Sequence, residues 1–201
     1  MSDVLYANST ITAHAALYML TRQRIQSMVR AASIQAVHAV LAECGYNISL
    51  QSDDEIIDAE RAKTFNRFME LCADPALAEC VSVRHKFITT KLKPGTSLEK
   101  AEQKLFNTIA DHAPKIKDEK VRTYFEAEIS AAEKSKKSSD KVLFELAYEA
   151  RNDLDTVGPL FYWYVLKQSE FKAVKIILMG KQLEFTQDQI MQDLRGIYDR
   201  F

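Results

Sequence analysis

The stretch Gly158–Phe201, GPLFYWYVLKQSEFKAVKIILMGKQLEFTQDQIMQDLRGIYDRF, decides how the rest of the chain is read. Gly158-Pro159 is a turn dipeptide that places proline at the head of a helix, where its missing amide costs nothing. The run Leu160 to Leu166 is apolar and rich in aromatics, and a second apolar run, Val174 to Met179, is broken only by Lys175. With no glycine or proline between Pro159 and Gly180, the spacing predicts one long helix to about Lys181. Thr186-Gln-Asp-Gln189 is a capping box, in which hydroxyl and amide satisfy each other's backbone donors, and it opens a final helix predicted over Gln187 to Arg200.

Working outward, the same punctuation recurs. Ile11 to Leu20 fits a helix entered from Ser9 or Thr10. Thr21 caps a second, with Ile25, Met28 and Val29 on one face, and Ser33 caps a third, with Ile34, Val37, Val40 and Leu41 inward and Gly45 as its left-handed terminator. Asp53 or Asp54 opens a longer helix carrying Ile57, Phe65, Phe68, Met69 and Leu71 near its buried side. Asp74-Pro75 reads as cap and first helical residue. After it, Val81, Val83 and Phe87 alternate as a strand would, while Leu77, Val81, Ile88 and Leu92 fit a helical face. The helix is preferred, because no partner strand is visible.

Thr96-Ser-Leu-Glu99 is another capping box, opening a helix to about His112 with Leu98, Leu105, Phe106 and Ile109 inward. Asp118 starts the next, carrying Val121, Tyr124, Phe125 and Ile129. The segment Lys134 to Ser139 is polar all round and either breaks the helix or projects into solvent. Val142, Leu143, Leu146 and Ala147 resume the pattern to about Leu154. The fold class is all-α. No Ser/Gly/Pro linker separates independent domains, so residues 1–201 are expected to form a single helical domain, with sub-modules 1–95 and 96–201.

Composition excludes several classes of function. A chain of 201 residues buries about 70% of its unfolded surface. Lys and Arg total 27 against 28 Asp and Glu, a net charge of -1, which gives no global pull toward nucleic acid or anionic lipid. Three cysteines, Cys44, Cys72 and Cys80, show no CxxC spacing and suit a reducing, cytosolic setting. No signal peptide is visible, and the longest unbroken apolar run, Leu160 to Leu166, falls far below the roughly 20 residues a membrane span needs.

Signatures of catalysis are missing. Gly180-Lys181 lacks the glycine and the hydroxyl residue that a phosphate loop requires, holding Lys175 and Gln182 there instead. His14, His38, His85 and His112 are far apart and form no HExxH pair. Catalytic, cofactor and metal sites are all expected to be absent, and neither a small-molecule substrate nor nucleic acid is expected as a partner.

Two charged features remain. Arg84, Lys86, Lys91 and Lys93 lie between Glu79 and Glu99 with no acid among them. They form either a solvated helix face or a surface for an acidic protein partner or lipid headgroups. A looser group, Lys134, Lys136, Lys137 and Lys141, reads as a solvent-exposed bend. Glu170 is the sharpest single residue. Set among apolar turns, it is expected to be a buried acid held by a salt bridge or hydrogen bond, with Arg22, Arg24 or Arg151 as candidate partners, ahead of any proton-handling role.

The segment Phe161 to Gly180, with the pattern Y-x-x-x-x-x-E-F-K-A-V-K-I-I-L-x-G, followed by Ile190 to Tyr198, resembles the C-terminal end of the C/d family of V-type and A-type ATPases, their central-stalk socket. Tyr6-Ala-Asn8, Leu17-Tyr-Met-Leu-Thr-Arg22, Ala31-Ala-Ser-Ile-Gln-Ala-Val37 and Leu41-Ala-Glu-Cys-Gly-Tyr46 are similar to that family's opening helices and its Gly-Tyr turn. The resemblance implies an all-α funnel of similar helical modules. It implies a socket without catalytic residues that joins the rotor-ring proteolipid subunits to the central-shaft subunits on the cytoplasmic side, touching the membrane only indirectly. Glu170 matches the family's acid in its last long helix. Ala173 and Lys175 stand where Asn and Arg are usual, the region Arg84 to Lys93, reading His-Lys-Phe-Ile-Thr-Thr, replaces an acidic, Asn-containing motif, and one middle module is missing. The alternative is a free-standing helical adaptor that binds a soluble protein.

Overall fold

The computed structural model describes residues 3–89, 98–133 and 140–201. Among the described residues all regular structure is helical and there is no strand, so the segment after Pro75 is a helix. In order, the helices are α1 Asp3–Tyr18, α2 Arg22–Arg30, α3 Ile34–Glu43, α4 Asp53–Leu71 and α5 Pro75–Thr89, then α6 Leu98–His112, α7 Glu119–Glu133, α8 Asp140–Ala150, α9 Gly158–Gln182 and α10 Gln187–Asp193. Short 3-10 turns follow α6 at Ala113–Lys115 and close the chain at Tyr198–Arg200.

The chain divides into two compact units. A mid-chain unit takes Met1–Ser9 and Arg67–Trp163, and a terminal unit takes Thr10–Asn66 and Tyr164–Phe201. Neither is a continuous stretch of sequence.

The mid-chain unit is organised by buried carboxylates at helix starts. Asp74 Oδ1 accepts from the amides of Ala76 and Leu77 at the head of α5, and its Oδ2 accepts from the amide of Lys117. Asp118 accepts from the Val121 amide to start α7 and also from the Thr156 hydroxyl. Each cap relieves amides that have no partner within their own helix. Leu77, Val81, Ile109, Val121 and Phe125 are buried beneath them, each contributing about 1.5–3 kcal/mol of transfer free energy. Phe161, from the first turn of α9, packs edge-on against Tyr124 at 4.9 Å between centroids.

The terminal unit joins the stretch Thr10–Asn66 to the C-terminal stretch Tyr164–Phe201. Thr21 and Ser33 cap α2 and α3 through the amides of Arg24 and Ala36. Gly45 sits at φ +79, as a left-handed terminator should. Ile25, Met28, Val37 and Leu41 are fully buried against Val174 and Ile177 of α9 and Ile190 of α10. Gly180 lets α10 come close, since a methyl there would lie 2.6 Å from Ile190 Cγ1.

Several boundaries differ from expectation. α1 begins at Asp3 rather than at Ser9 or Thr10. Its early turns are held from a distance, because the Asn8 amide donates to the carbonyls of Leu154 and Thr156. α4 does open at Asp53, one of the two expected positions, with Ser52 before it accepting from the Glu55 amide. The last helix stops at Asp193 instead of Arg200, with Gly196 at φ +84 shortly beyond. Met69, Ile88, Leu98 and Val142 are exposed rather than inward, the last two near helix starts. Leu92 and the Thr96 end of the capping box lie outside the described residues.

Candidate functional site

A helix face that repeats every three to four residues carries Lys167, Glu170, Phe171 and Val174 of α9 to the interior of the terminal unit. Lys167 and Glu170 are both 0% exposed, which makes their environment decisive. An ion that deep is tolerated only when it is paired and hydrogen-bonded, because its desolvation costs several kcal/mol.

Both conditions are met. Lys167 Nζ lies 2.5 Å from Glu170 Oε1 and 3.3 Å from Glu60 Oε1. Glu60, on α4, is itself buried and its second oxygen receives Lys63 Nζ at 3.2 Å. Lys63 reaches solvent and also donates to the Gly45 carbonyl. Charges therefore alternate from the surface inward: Lys63, Glu60, Lys167, Glu170. The faces of Tyr46 and Phe171 lie 5.2 and 5.3 Å from Lys167 Nζ and add cation–π attraction.

Glu170 ends this series by holding two distant segments. The Tyr46 hydroxyl donates to Oε1 at 2.6 Å, and the Leu20 amide, at the joint between α1 and α2, donates to Oε2 at 2.9 Å. Burial, followed by the charge of Glu170, pushes the Tyr46 phenol well above its ordinary range, so it stays a neutral donor. The arrangement fixes backbone: one carboxylate ties α9 to the α1–α2 joint and to the turn after α3.

Sequence reasoning places Glu170 correctly as a buried, paired acid, but none of the three expected arginines is its partner. Arg22 donates to the Phe201 carbonyl at 2.6 Å, Arg24 donates to the Met19 carbonyl at 2.8 Å, and Arg151 lies over the Tyr148 ring. Each is used by a nearer acceptor or ring. Tyr46 is named in the sequence only as the close of the Leu41–Tyr46 segment, and Lys167 and Glu60 are not singled out there at all. Two signals mark them in retrospect. Lys167 ends the aromatic run three residues before Glu170, and Glu60 shares a four-residue spacing with buried Ile56 and Thr64.

Arg84 is half-buried, pairs with Glu128, donates to the Tyr124 hydroxyl at 3.0 Å and lies over the Phe125 ring. Lys86 is exposed, and Lys91 and Lys93 lie outside the described residues, as do Lys134, Lys136 and Lys137. Burial pushes the thiols up, to about 11 for Cys44 and Cys72 and about 12 for Cys80, so near neutral pH they are not thiolates. Among the described residues no group of three His, Cys, Asp or Glu is placed to hold a metal ion, and no helix is long and apolar enough to cross a membrane. Compared with protein-family models, curated proteins and solved structures, the chain gives no match in any of the three.

Proposed function

We propose that this chain is a non-catalytic coupling or assembly subunit of a rotary ATPase of the V or A type. In this reading it sits peripherally at the cytoplasmic face, between the rotor-ring proteolipids and the central shaft. One observation carries it. Glu170, the acid of the C-terminal pattern, holds the Leu20 amide of the Leu17–Arg22 segment and the hydroxyl of Tyr46, which closes the Leu41–Tyr46 segment. The stretches that resemble the family's two ends thus meet at one buried carboxylate. A part that passes force between partners needs helices locked to each other rather than a reactive group, and a fully paired buried ion is a device for specifying one arrangement.

The test is affinity purification of the chain from membranes of its native host in mild detergent, with mass spectrometry of the associated proteins. Proteolipid and shaft subunits are expected together. Recovery without either ends the reading, and recovery with a single soluble protein favours the adaptor.

A further inference from the structure

The terminal unit carries a second feature that the buried charges do not use. Between the start of α4 and the end of α9 lies a cleft of about 370 Å³. Its floor is apolar, made by Ile57 and Leu178, and Met179 forms a wall that is 48% exposed. Two bonds join the helices across it. Lys175 meets Asp54 at 3.3 Å, and seven residues further along α9, Gln182 donates to Asp53 at 2.7 Å.

The rim has a sign. Of the residues that line the cleft, Asp53 and Asp54 at the start of α4 are acidic, and one residue across it, Lys175, is basic. The carboxylate of Asp53 is occupied on both oxygens, by His38 and Gln182. Asp54 is different: its side chain is 78% exposed and it shares one oxygen with a lysine that is itself 55% exposed. Such a solvated pair is worth little, so an incoming guanidinium, with its two-pronged fit to a carboxylate, displaces it at small cost.

We propose that this cleft docks a basic amphipathic segment of a partner protein. One apolar side chain, Leu, Met or Phe, seats on Ile57 and Leu178 beside Met179, and a neighbouring Arg or Lys meets Asp54. The volume lies at the low end of small-molecule pockets, which start at roughly 300 Å³, and suits an anchoring side chain better than a cofactor. The acidic rim repels phosphate and anionic lipid. The proposal stands whether or not the chain enters a rotary ATPase.

The probe is a displayed library of random twelve-residue peptides selected on the full-length chain, with the enriched peptides then made synthetically. Enriched sequences should pair an apolar anchor with Arg or Lys. Their Kd should weaken about tenfold or more in Met179→Lys and in Asp54→Lys. A peptide with its Arg changed to Glu should recover binding to Asp54→Lys. Both positions are exposed, so thermal unfolding should match the parent. Without any substitution, bound peptide should also slow oxidation of Met179 by hydrogen peroxide, read by mass spectrometry. The proposal falls if no peptide is enriched, if the enriched peptides are acidic, or if Asp54→Lys leaves Kd unchanged. It falls too if the chain self-associates and both variants abolish that, which would assign the cleft to a second copy.

Discussion

The two units bury acids for different ends. In the mid-chain unit, Asp74 and Asp118 serve backbone amides two or three residues ahead and take one further donor each. In the terminal unit, Glu60 and Glu170 lie inside helices whose amides are already used, and they are held by a buried lysine. A cap stabilises a helix that would largely form without it. A buried ion pair stabilises only the arrangement that brings its members together, and one member left alone is worse than none. Loss of a partner in the terminal unit should therefore cost more than loss of a cap in the mid-chain unit.

The largest effect is expected for Lys167→Met. It removes the cation from between Glu60 and Glu170, and by the usual cost of breaking a buried pair it should lower stability by about 3–5 kcal/mol in urea unfolding followed by circular dichroism. A loss under about 1 kcal/mol would erase the distinction between the units.

Next comes Tyr46→Phe, which deletes one hydrogen bond to a buried charge and should cost about 1.5–3 kcal/mol. It also carries a pH signature. The Tyr46 phenol is raised in the fold by burial and by Glu170. Its contribution is therefore intact below the unfolded value of about 10 and fades as pH climbs through the raised folded value. Unfolding midpoints of the parent should fall more steeply above about pH 10 than those of Tyr46→Phe; parallel curves would mean that Tyr46 is not held neutral.

In the mid-chain unit, Asp118→Ala should cost about 1–2 kcal/mol, the range of a lost cap. Fluorescence of Trp163, which is buried in that unit, can follow it. A cost equal to that of Lys167→Met would overturn the ranking. The smallest effect is expected for Lys175→Ala, whose pair with Asp54 is solvent-exposed. A change of under about 0.5 kcal/mol in thermal or urea unfolding sets the scale against which the buried lysine is read.

The same contrast explains what could be read in advance. Thr21, Ser33, Asp74, Asp118 and Thr186 announce their helices correctly, because a cap and the amide it satisfies lie within four residues. The burial of Glu170 was legible too, from the apolar turns on either side of it. Its distant partners were not. Tyr46 is 124 residues away and Leu20 is 150, and no local pattern distinguishes them from the three arginines. The start of α1 was misread for the same reason, since the carbonyls that hold Asn8 are 146 and 148 residues further on.

Residue order alone thus dictated that the described chain is helical, where most of its helices begin, and that the acid at Glu170 sits on a buried face. Periodicity and capping are short-range physics. Tertiary packing was needed to bury that acid with its neighbouring lysine, to bring Glu60, Tyr46 and Leu20 to the pair, and to leave an acid-rimmed cleft between α4 and α9. Those outcomes depend on helices far apart in sequence packing at one register, and desolvation makes a charge at that depth acceptable only where the packing supplies its partner.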